Sequence, residues 1–438
     1  MEIELSKINK IFFLGIGGIG ISAIARMMLL EGKEVFGSDI GENEVTEELK
    51  KFGAQIVVGQ KIDLIPKDVD LIVYTIAVPR YDIKLFDEIK STFNVPILSY
   101  PQMLGVVTRN KNTIAVSGTH GKTTTTAMIA KILIDTKKDP SVIIGSFLLE
   151  DGENKTNLIV GKSELFVVEA CEYERSFLNL SPKILVITNI ESDHLDYYKD
   201  INDIESAFSE MATQTENFII CNVNDPALIN VLQAKHNAKV IDYLQYLEKV
   251  PKLLVAGEHN RMNASIAMAV ADILKIPKDI TLKAISNFKG TWRRLEKKGK
   301  TSEGVTIYDD YAHHPTEIKA SLQALRELYP SERITVIFQP HLYSRTKALF
   351  ADFAKSFKGA DKVLVLPIYF AREAIDESIT SGKLAEAIRQ NGDDALDFDT
   401  FEASEEAIKT LNLGPNDVFV SMGAGEAHKV VNKVFHIT

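Results

Sequence analysis

Residues 111–126 read Lys-Asn-Thr-Ile-Ala-Val-Ser-Gly-Thr-His-Gly-Lys-Thr-Thr-Thr-Thr. Ile114, Ala115 and Val116 form a short apolar run of strand type, and Gly118 to Thr123 turn the chain. Thr124 to Ile134 then carry Met128, Ile129, Ile132 and Leu133 at helical spacing. A strand, a glycine loop, Lys-Thr and a helix, in that order, restrict the chain to a layered α/β architecture. The same order builds a phosphate cradle: glycine N–H groups close around oxygens and the helix N-terminus adds partial positive charge. From such a loop Lys122 reaches β and γ phosphates, and the Thr123 hydroxyl faces Mg²⁺. The spacing is shorter than G-x-x-x-x-G-K-[ST], which needs glycine where this chain has Val116. The competing reading is an ordinary β–α turn with a solvated lysine. The strand before the loop and the helix after it favour phosphate.

A second glycine loop lies near the start. Ile11 to Leu14 is a buried-type strand, followed by Gly15-Ile16-Gly17-Gly18-Ile19-Gly20, an apolar helix from Ile21 to Leu30, and a strand Val35–Ser38 ending in Asp39. This is G-x-G-x-x-G with an acid downstream, so a dinucleotide-dependent dehydrogenase is one reading. The turn recognises a pyrophosphate rather than a nicotinamide, however, and any nucleotide diphosphate satisfies it. Asp70–Ala77 and Val95–Ser99 continue the alternation, and Leu104 to Lys111 reads as a link into a second domain.

Length and charge narrow the class. The chain has 438 residues, enough for two to four domains, and a formal net charge of −10 without a basic run, which argues against nucleic acid. No apolar stretch has the length of a membrane span, and Met1 to Lys10 is mixed and charged, unlike a signal peptide. Cys171 and Cys221 are the only cysteines, so no disulfide framework is implied. The expectation is a cytoplasmic enzyme, a monomer or weak homodimer.

Chemistry-bearing residues recur at strand ends. Leu165–Val168 ends in Glu169, and Ile184–Thr188 ends in Asn189-Ile190-Glu191-Ser192-Asp193-His194. Such ends carry ligand sites in open α/β sheets. Glu169 with Thr123 supplies the oxygen ligands that Mg²⁺ prefers. Asn217–Val223 and Ala238–Tyr243 add strands. Asn260 and Asn263, three apart, share a helix face before Ala264–Leu274. They suit either an adenine edge or helix capping. Asn287 to Thr291 leads to a third domain, with Arg293 and Arg294 at the hinge; a solvated basic patch is the alternative for one of them. Thr306–Tyr308 runs into Asp309-Asp310-Tyr311-Ala312-His313-His314-Pro315. Adjacent histidines on an extended segment face opposite ways, so a His313–His314 metal grip is discounted. Ile334–Phe338, Val363–Leu366 and Val418–Ser421 make the last part another α/β sandwich.

The strings GTHGKTTT, GIGGIGISAIA with Gly37-Ser38-Asp39, EACEYERSFL, TNIESDHLDYY and G-x-H-N-x-x-N resemble the Mur ligases, which add amino acids to the peptidoglycan precursor. DDYAHHPTE and FQPHLYSRT, and the lack of lysine between Ile204 and Gln214, resemble the alanine-adding branch. Gln60 and Tyr100 depart from the family, which commonly has His and Arg there, and Cys171 replaces a common Asp and reads as a packing residue.

The resemblance implies three α/β domains: a Rossmann-like UDP-sugar domain (1–108), a P-loop ATPase-type central domain (109–289) and a Rossmann-like amino-acid domain (290–438). It implies catalysis by Lys122, Glu169 and His194, with Mg²⁺ on Thr123, Glu169 and His194. ATP would be held by Gly118, Thr119, His120, Gly121, Lys122, Thr123, Thr124, Asn260, Asn263 and Arg294. The UDP-sugar would meet Gly17, Gly18, Ile19, Gly20, Ser38, Asp39 and Thr75. The amino acid would meet Tyr311, His313, His341 and Arg345. The expected reaction joins L-alanine to the lactyl carboxylate of UDP-N-acetylmuramate through an acyl phosphate, releasing ADP and phosphate, with domain closure during turnover. A muropeptide-recycling ligase, a switch or motor ATPase and a non-catalytic nucleotide-binding module are the alternatives.

Overall fold

The computed structural model describes residues 3–148, 156–370 and 373–437. Three sheets follow one another along the chain. The first has β1 (Lys10–Leu14), β2 (Glu34–Asp39), β3 (Gln55–Val58), β4 (Leu71–Tyr74) and β5 (Ile97–Ser99), all parallel in the order β3-β2-β1-β4-β5. The second has β6 (Asn112–Ser117), β7 (Ser141–Leu148), β8 (Thr156–Ile159), β9 (Leu165–Glu169), β10 (Ile184–Ile187), β11 (Phe218–Cys221) and β12 (Lys239–Asp242), ordered β12-β11-β10-β6-β9-β7-β8. The third has β13 (Glu296–Lys300), β14 (Thr306–Asp310), β15 (Arg333–Phe338), β16 (Lys362–Val365), β17 (Ala395–Asp397) and β18 (Asp417–Met422), ordered β13-β14-β18-β15-β16-β17. Only β8 and β13 run antiparallel among the described residues, and each is an edge strand.

This order decides what meets what. β6 lies between β10 and β9, so the phosphate loop after β6 is flanked by the strand ends carrying Glu169 and residues 189–194. In the third sheet β18 lies between β14 and β15, which gathers the segments after Asp310, Phe338 and Met422. Both follow the rule that ligands sit at the carboxyl ends of parallel strands where the order reverses.

The helix Lys122–Asp135 is buried on nearly every side, packed against β7, β9 and the helices Glu258–Ile273 and Lys278–Ser286. Its apolar and threonine side chains leave little room for movement, which anchors the loop at its start. One apolar cluster runs from Ile11 and Phe13 of the first sheet through Met103 and Leu104 to Phe166 and Leu185 of the second. The expected link at Leu104–Lys111 is therefore mostly helix: Tyr100–Thr108 is capped by Ser99 and carries the core across the boundary. Asp70–Ala77 is likewise shorter as a strand, since Ala77 begins a helix. No helix among the described residues is long and apolar enough to cross a membrane.

Candidate active site

The phosphate loop takes its shape from two glycines. Gly118 has φ +125° and Gly121 φ +83°, both in the left-handed region. A Cβ at Gly118 would strike Thr188 Oγ1, and one at Gly121 would lie 2.6 Å from Asn263 Oδ1. Asn189, at the end of β10, pins the loop: its carbonyl accepts from Thr119 N at 3.0 Å and its Oδ1 from His120 N at 2.9 Å. The helix then begins at Lys122 with no side-chain cap, so its first N–H groups remain available to an anion.

Lys122, Thr123 and Glu169 converge as the sequence suggests. Thr123 Oγ1 donates to Glu169 Oε1 at 3.0 Å, and Glu169 Oε2 also accepts from Gly145 N at 2.8 Å. Lys122 Nζ donates to the carbonyls of Gly118 and Thr119 and to Glu172 Oε1 at 3.0 Å. Burial works against its charge, but Glu172 and Glu169 outweigh that and raise its pKa above the ordinary lysine value. His194, with φ +54°, is 3.8 Å from Glu172 through Nε2 and reaches the group by way of that carboxylate. Cys171 is exposed, correcting the expectation that it packs.

A cavity of about 330 Å³ opens beside the loop, lined by His120, Gly121, Thr124, Asn260, Asn263 and Arg294 among others. Asn263 accepts from Thr125 Oγ1 at 3.1 Å, and Asn260 donates to Ala256 O at 2.7 Å. The two amides are thus anchored side by side at the wall. The two hinge arginines part company. Arg293 is buried, donating to Asp309 at 2.9 Å and to Gly423 O at 2.8 Å, and fixes the third domain's own loops. Arg294 reaches across to Thr123 Oγ1 at 3.4 Å and lies 3.8 Å from Glu317. Asp310, also on the cavity, is pushed up to about 6 by burial.

The third domain brings Tyr311, His313, His341 and Arg345 together. The rings of Tyr311 and His313 are 5.3 Å apart, those of His313 and His341 5.9 Å, and Arg345 Nη1 is 3.3 Å from His341 Nδ1. Burial lowers both imidazoles, His313 to about 4 and His341 to about 3, so both are neutral. Arg345 already has a carboxylate partner. Its Nε and Nη2 donate to Asp193 Oδ1 at 3.0 and 2.9 Å, a buried pair joining the central and third domains. The pair leaves Nη1 directed toward His341.

In the first domain, the loop after β1 turns at Gly15, with φ +77°. Asp39 spends both oxygens on backbone, accepting from Gly17 N and Ile40 N at 2.8 Å each, so it shapes the loop. Ser38 is fully buried beneath it, while its carbonyl accepts from Gly15 and Ile16. Gly18 caps the helix that starts at Ile19. Gly20 is where Tyr100 packs: a Cβ there would lie 2.6 Å from the ring. Thr75, after β4, closes over Gly15.

Family models for the Mur ligase catalytic, middle and glutamate-ligase domains match residues 10–112, 116–249 and 293–425. A UDP-N-acetylmuramate–L-alanine ligase of Clostridium novyi is 40% identical over 96% of both chains. The chain belongs to the Mur ligase family. The enzyme of the same description from Clostridium kluyveri is 37% identical over 98% of both chains. The crystal structure of the UDP-N-acetylmuramate–alanine ligase of Thermotoga maritima superposes with a TM-score of 0.79 at 28% identity, covering 98% of each chain.

Four acids of this Mur ligase went unassigned from sequence, although each lies inside a string that carried the resemblance. Glu172 holds Lys122; Asp193 holds Arg345. Glu191 accepts from Thr316 Oγ1 at 2.6 Å, linking the central and third domains. Glu317 accepts from the backbone of His313 and His314 and lies 3.2 Å from His120 Nδ1. The available signal was their place at strand ends and in the first turn of a helix; their cross-domain and cross-loop side-chain partners lie 50 to 197 residues away and leave no local trace.

Proposed function

We propose that this Mur ligase uses ATP to join L-alanine to the lactyl carboxylate of UDP-N-acetylmuramate. The observation that carries the reading is the meeting, where the central and third domains touch, of the phosphate loop and its strand-end acids with Arg294 and with the Arg345–histidine cluster held by Asp193. The near full-length relatives named as alanine ligases support the substrate choice. Domain boundaries at 108/109 and 289/290, with a cytoplasmic location, belong to the same proposal.

In this reading ATP lies in the 330 Å³ cavity with its adenine toward Asn260 and Asn263 and its phosphates on the loop from Gly118 to Thr124. His120 and Arg294 flank the phosphates. The lactyl carboxylate attacks the γ-phosphorus, ADP leaves, and an acyl phosphate forms. The alanine amine then attacks that carbonyl carbon and phosphate departs. Lys122, released from Glu172, takes up the charge that develops on the phosphate oxygens, and Arg294 adds a second cation from the third domain. Arg345 and His313 orient the alanine carboxylate, with Tyr311 and His341 walling its site. The loop from Gly17 to Gly20, with Thr75, receives the UDP diphosphate at the helix N-terminus, while Ser38 and Asp39 set its shape.

The donor set fits Mg²⁺: Thr123 Oγ1 and Glu169 Oε1, already 3.0 Å apart, are the hard oxygen ligands that ion takes, with His194 as a third. When bound, Mg²⁺ neutralises phosphate charge.

The test is a product assay with ATP, UDP-N-acetylmuramate and single amino acids. The expected products are ADP, phosphate and the alanyl conjugate. AMP and pyrophosphate would overturn the acyl-phosphate route, and a peptide accepted in preference to alanine would overturn the substrate assignment.

A further inference from the structure

Two histidines from different domains meet outside the residues assigned above to Mg²⁺. His120 belongs to the phosphate loop and His314 follows β14, and their ring centroids are 4.7 Å apart. The sequence discounts a His313–His314 pair, and these two do diverge: His313 turns to Tyr311 and His341, His314 to His120. His120 Nε2 and His314 Nε2 are both buried without a hydrogen-bond partner among the described residues. His314 as a whole is 5% exposed. Buried polar nitrogens of this kind are rare in a native interior and call for an occupant. Glu191 supplies a third donor, with Oε2 3.6 Å from His120 Nε2. One ligand atom from each of the three residues falls within 4.8 Å of the others.

We infer that His120, Glu191 and His314 form a binding site for a divalent transition metal such as Zn²⁺, bridging the central and third domains. Two imidazoles and one carboxylate are the donor set of a borderline cation, whereas a nitrogen-dominated set does not suit Mg²⁺, which is held mainly by oxygen. Tetrahedral ligands at ~2.0–2.1 Å from Zn²⁺ stand about 3.3 Å apart. The His120–Glu191 separation is near that already, and the third ligand closes in by rotation of its side chain. The outer contacts suit the task. Glu317 lies at 3.2 Å from His120 Nδ1, orienting Nε2 toward the gap, and the Thr316 hydroxyl holds Glu191. Binding has costs: His120 gives up the Nε2 proton that faces Glu191 while keeping Nδ1–H on Glu317, and His314 shifts its proton to Nδ1. The second change releases the Thr316 N–H that Nδ1 accepts at 3.3 Å, a long bond. Two of the three ligands, His120 and Glu191, also line the ATP cavity. A metal here ties the third domain to the phosphate loop, so it restrains the domain movement that turnover needs.

Equilibrium dialysis of the full chain against Zn²⁺, in excess Mg²⁺ to fill the oxygen site, tests this. Wild type should retain one more Zn²⁺ per chain than His314→Gln, with the variant's ATP binding intact. Because His314 caps the helix Pro315–Leu328, Glu191→Gln repeats the test without touching the cap and should weaken Zn²⁺ at least tenfold. Co²⁺ gives a variant-free measurement: wild type should develop the visible d–d bands of nitrogen ligation in a four- or five-coordinate site. Equal Zn²⁺ stoichiometry in wild type and both variants, displacement of the bound Zn²⁺ by Mg²⁺, or a purely octahedral Co²⁺ spectrum would overturn the site. The proposal concerns binding and stands apart from the ligase reading, which the product assay decides separately.

Discussion

Glu172→Gln should make the protein depend on ATP for stability. Lys122 Nζ is 3.0 Å from the Glu172 carboxylate, and Glu172 is only 3% exposed. Glutamine keeps the shape and removes the charge, leaving a buried ammonium with only the carbonyls of Gly118 and Thr119. Breaking a buried pair by neutralising one partner costs ~3–5 kcal/mol. The lower figure applies, because the carbonyls still share the ammonium. At ~2–4 °C per kcal/mol for a domain of this size, ~3 kcal/mol lowers the melting point by roughly 6–12 °C. ATP phosphates replace the lost carboxylate, so saturating Mg·ATP should recover most of that loss. Thermal melts of both proteins, with and without nucleotide, give the comparison. The ATP-induced rise should be larger in the variant than in wild type. Equal melting points without nucleotide, or equal ATP-induced shifts, would refute the idea that Glu172 holds the lysine until phosphate arrives.

Arg345→Ala should raise KM for alanine by about 30-fold or more, since truncating one partner of a buried charged pair costs ~2–5 kcal/mol and ~1.4 kcal/mol is tenfold. KM for ATP should hold; a change in ATP kinetics with alanine kinetics untouched would move Arg345 to the nucleotide. Lys122→Ala should abolish turnover while the circular dichroism spectrum stays the same, and near-normal ligation would end the phosphate-loop assignment. His120 should make stability fall in mild alkali. Burial opposes its charge, but the carboxylates of Glu191 and Glu317 outweigh burial and raise it from 6.5 to about 9. A raised folded pKa stabilises fully below pH 6.5, and the benefit, ~3 kcal/mol, is lost as pH climbs through 9. Denaturant melts from pH 6 to pH 9.5 should show that decline in wild type and a flatter profile in His120→Gln; matching profiles would count against it.

Much of this protein was legible as local pattern. The run Ile114–Val116, the glycines at 118 and 121 and the apolar helix after them are properties of neighbouring residues, and the structure keeps them as β6, a left-handed turn and a helix from Lys122. Glu169 beside Thr123 followed from the rule that strand ends carry ligands, and β9 does pair with β6. The edge strands β8 and β13 were not legible, because an antiparallel edge takes its partner from the sheet rather than from its own sequence.

Loop chemistry and periodicity belong to the sequence by itself, since both act within a few residues. Partner choice across long separations belongs to the tertiary structure. Nothing local tells Arg293, locked on Asp309, from Arg294, reaching Thr123. Nor does it say that Asp193 meets Arg345 152 residues on, or that His120 faces His314. Strand order sets which loops share an end of a sheet, and domain packing sets which ends face each other. Burial then turns those meetings into ion pairs and shifted protons.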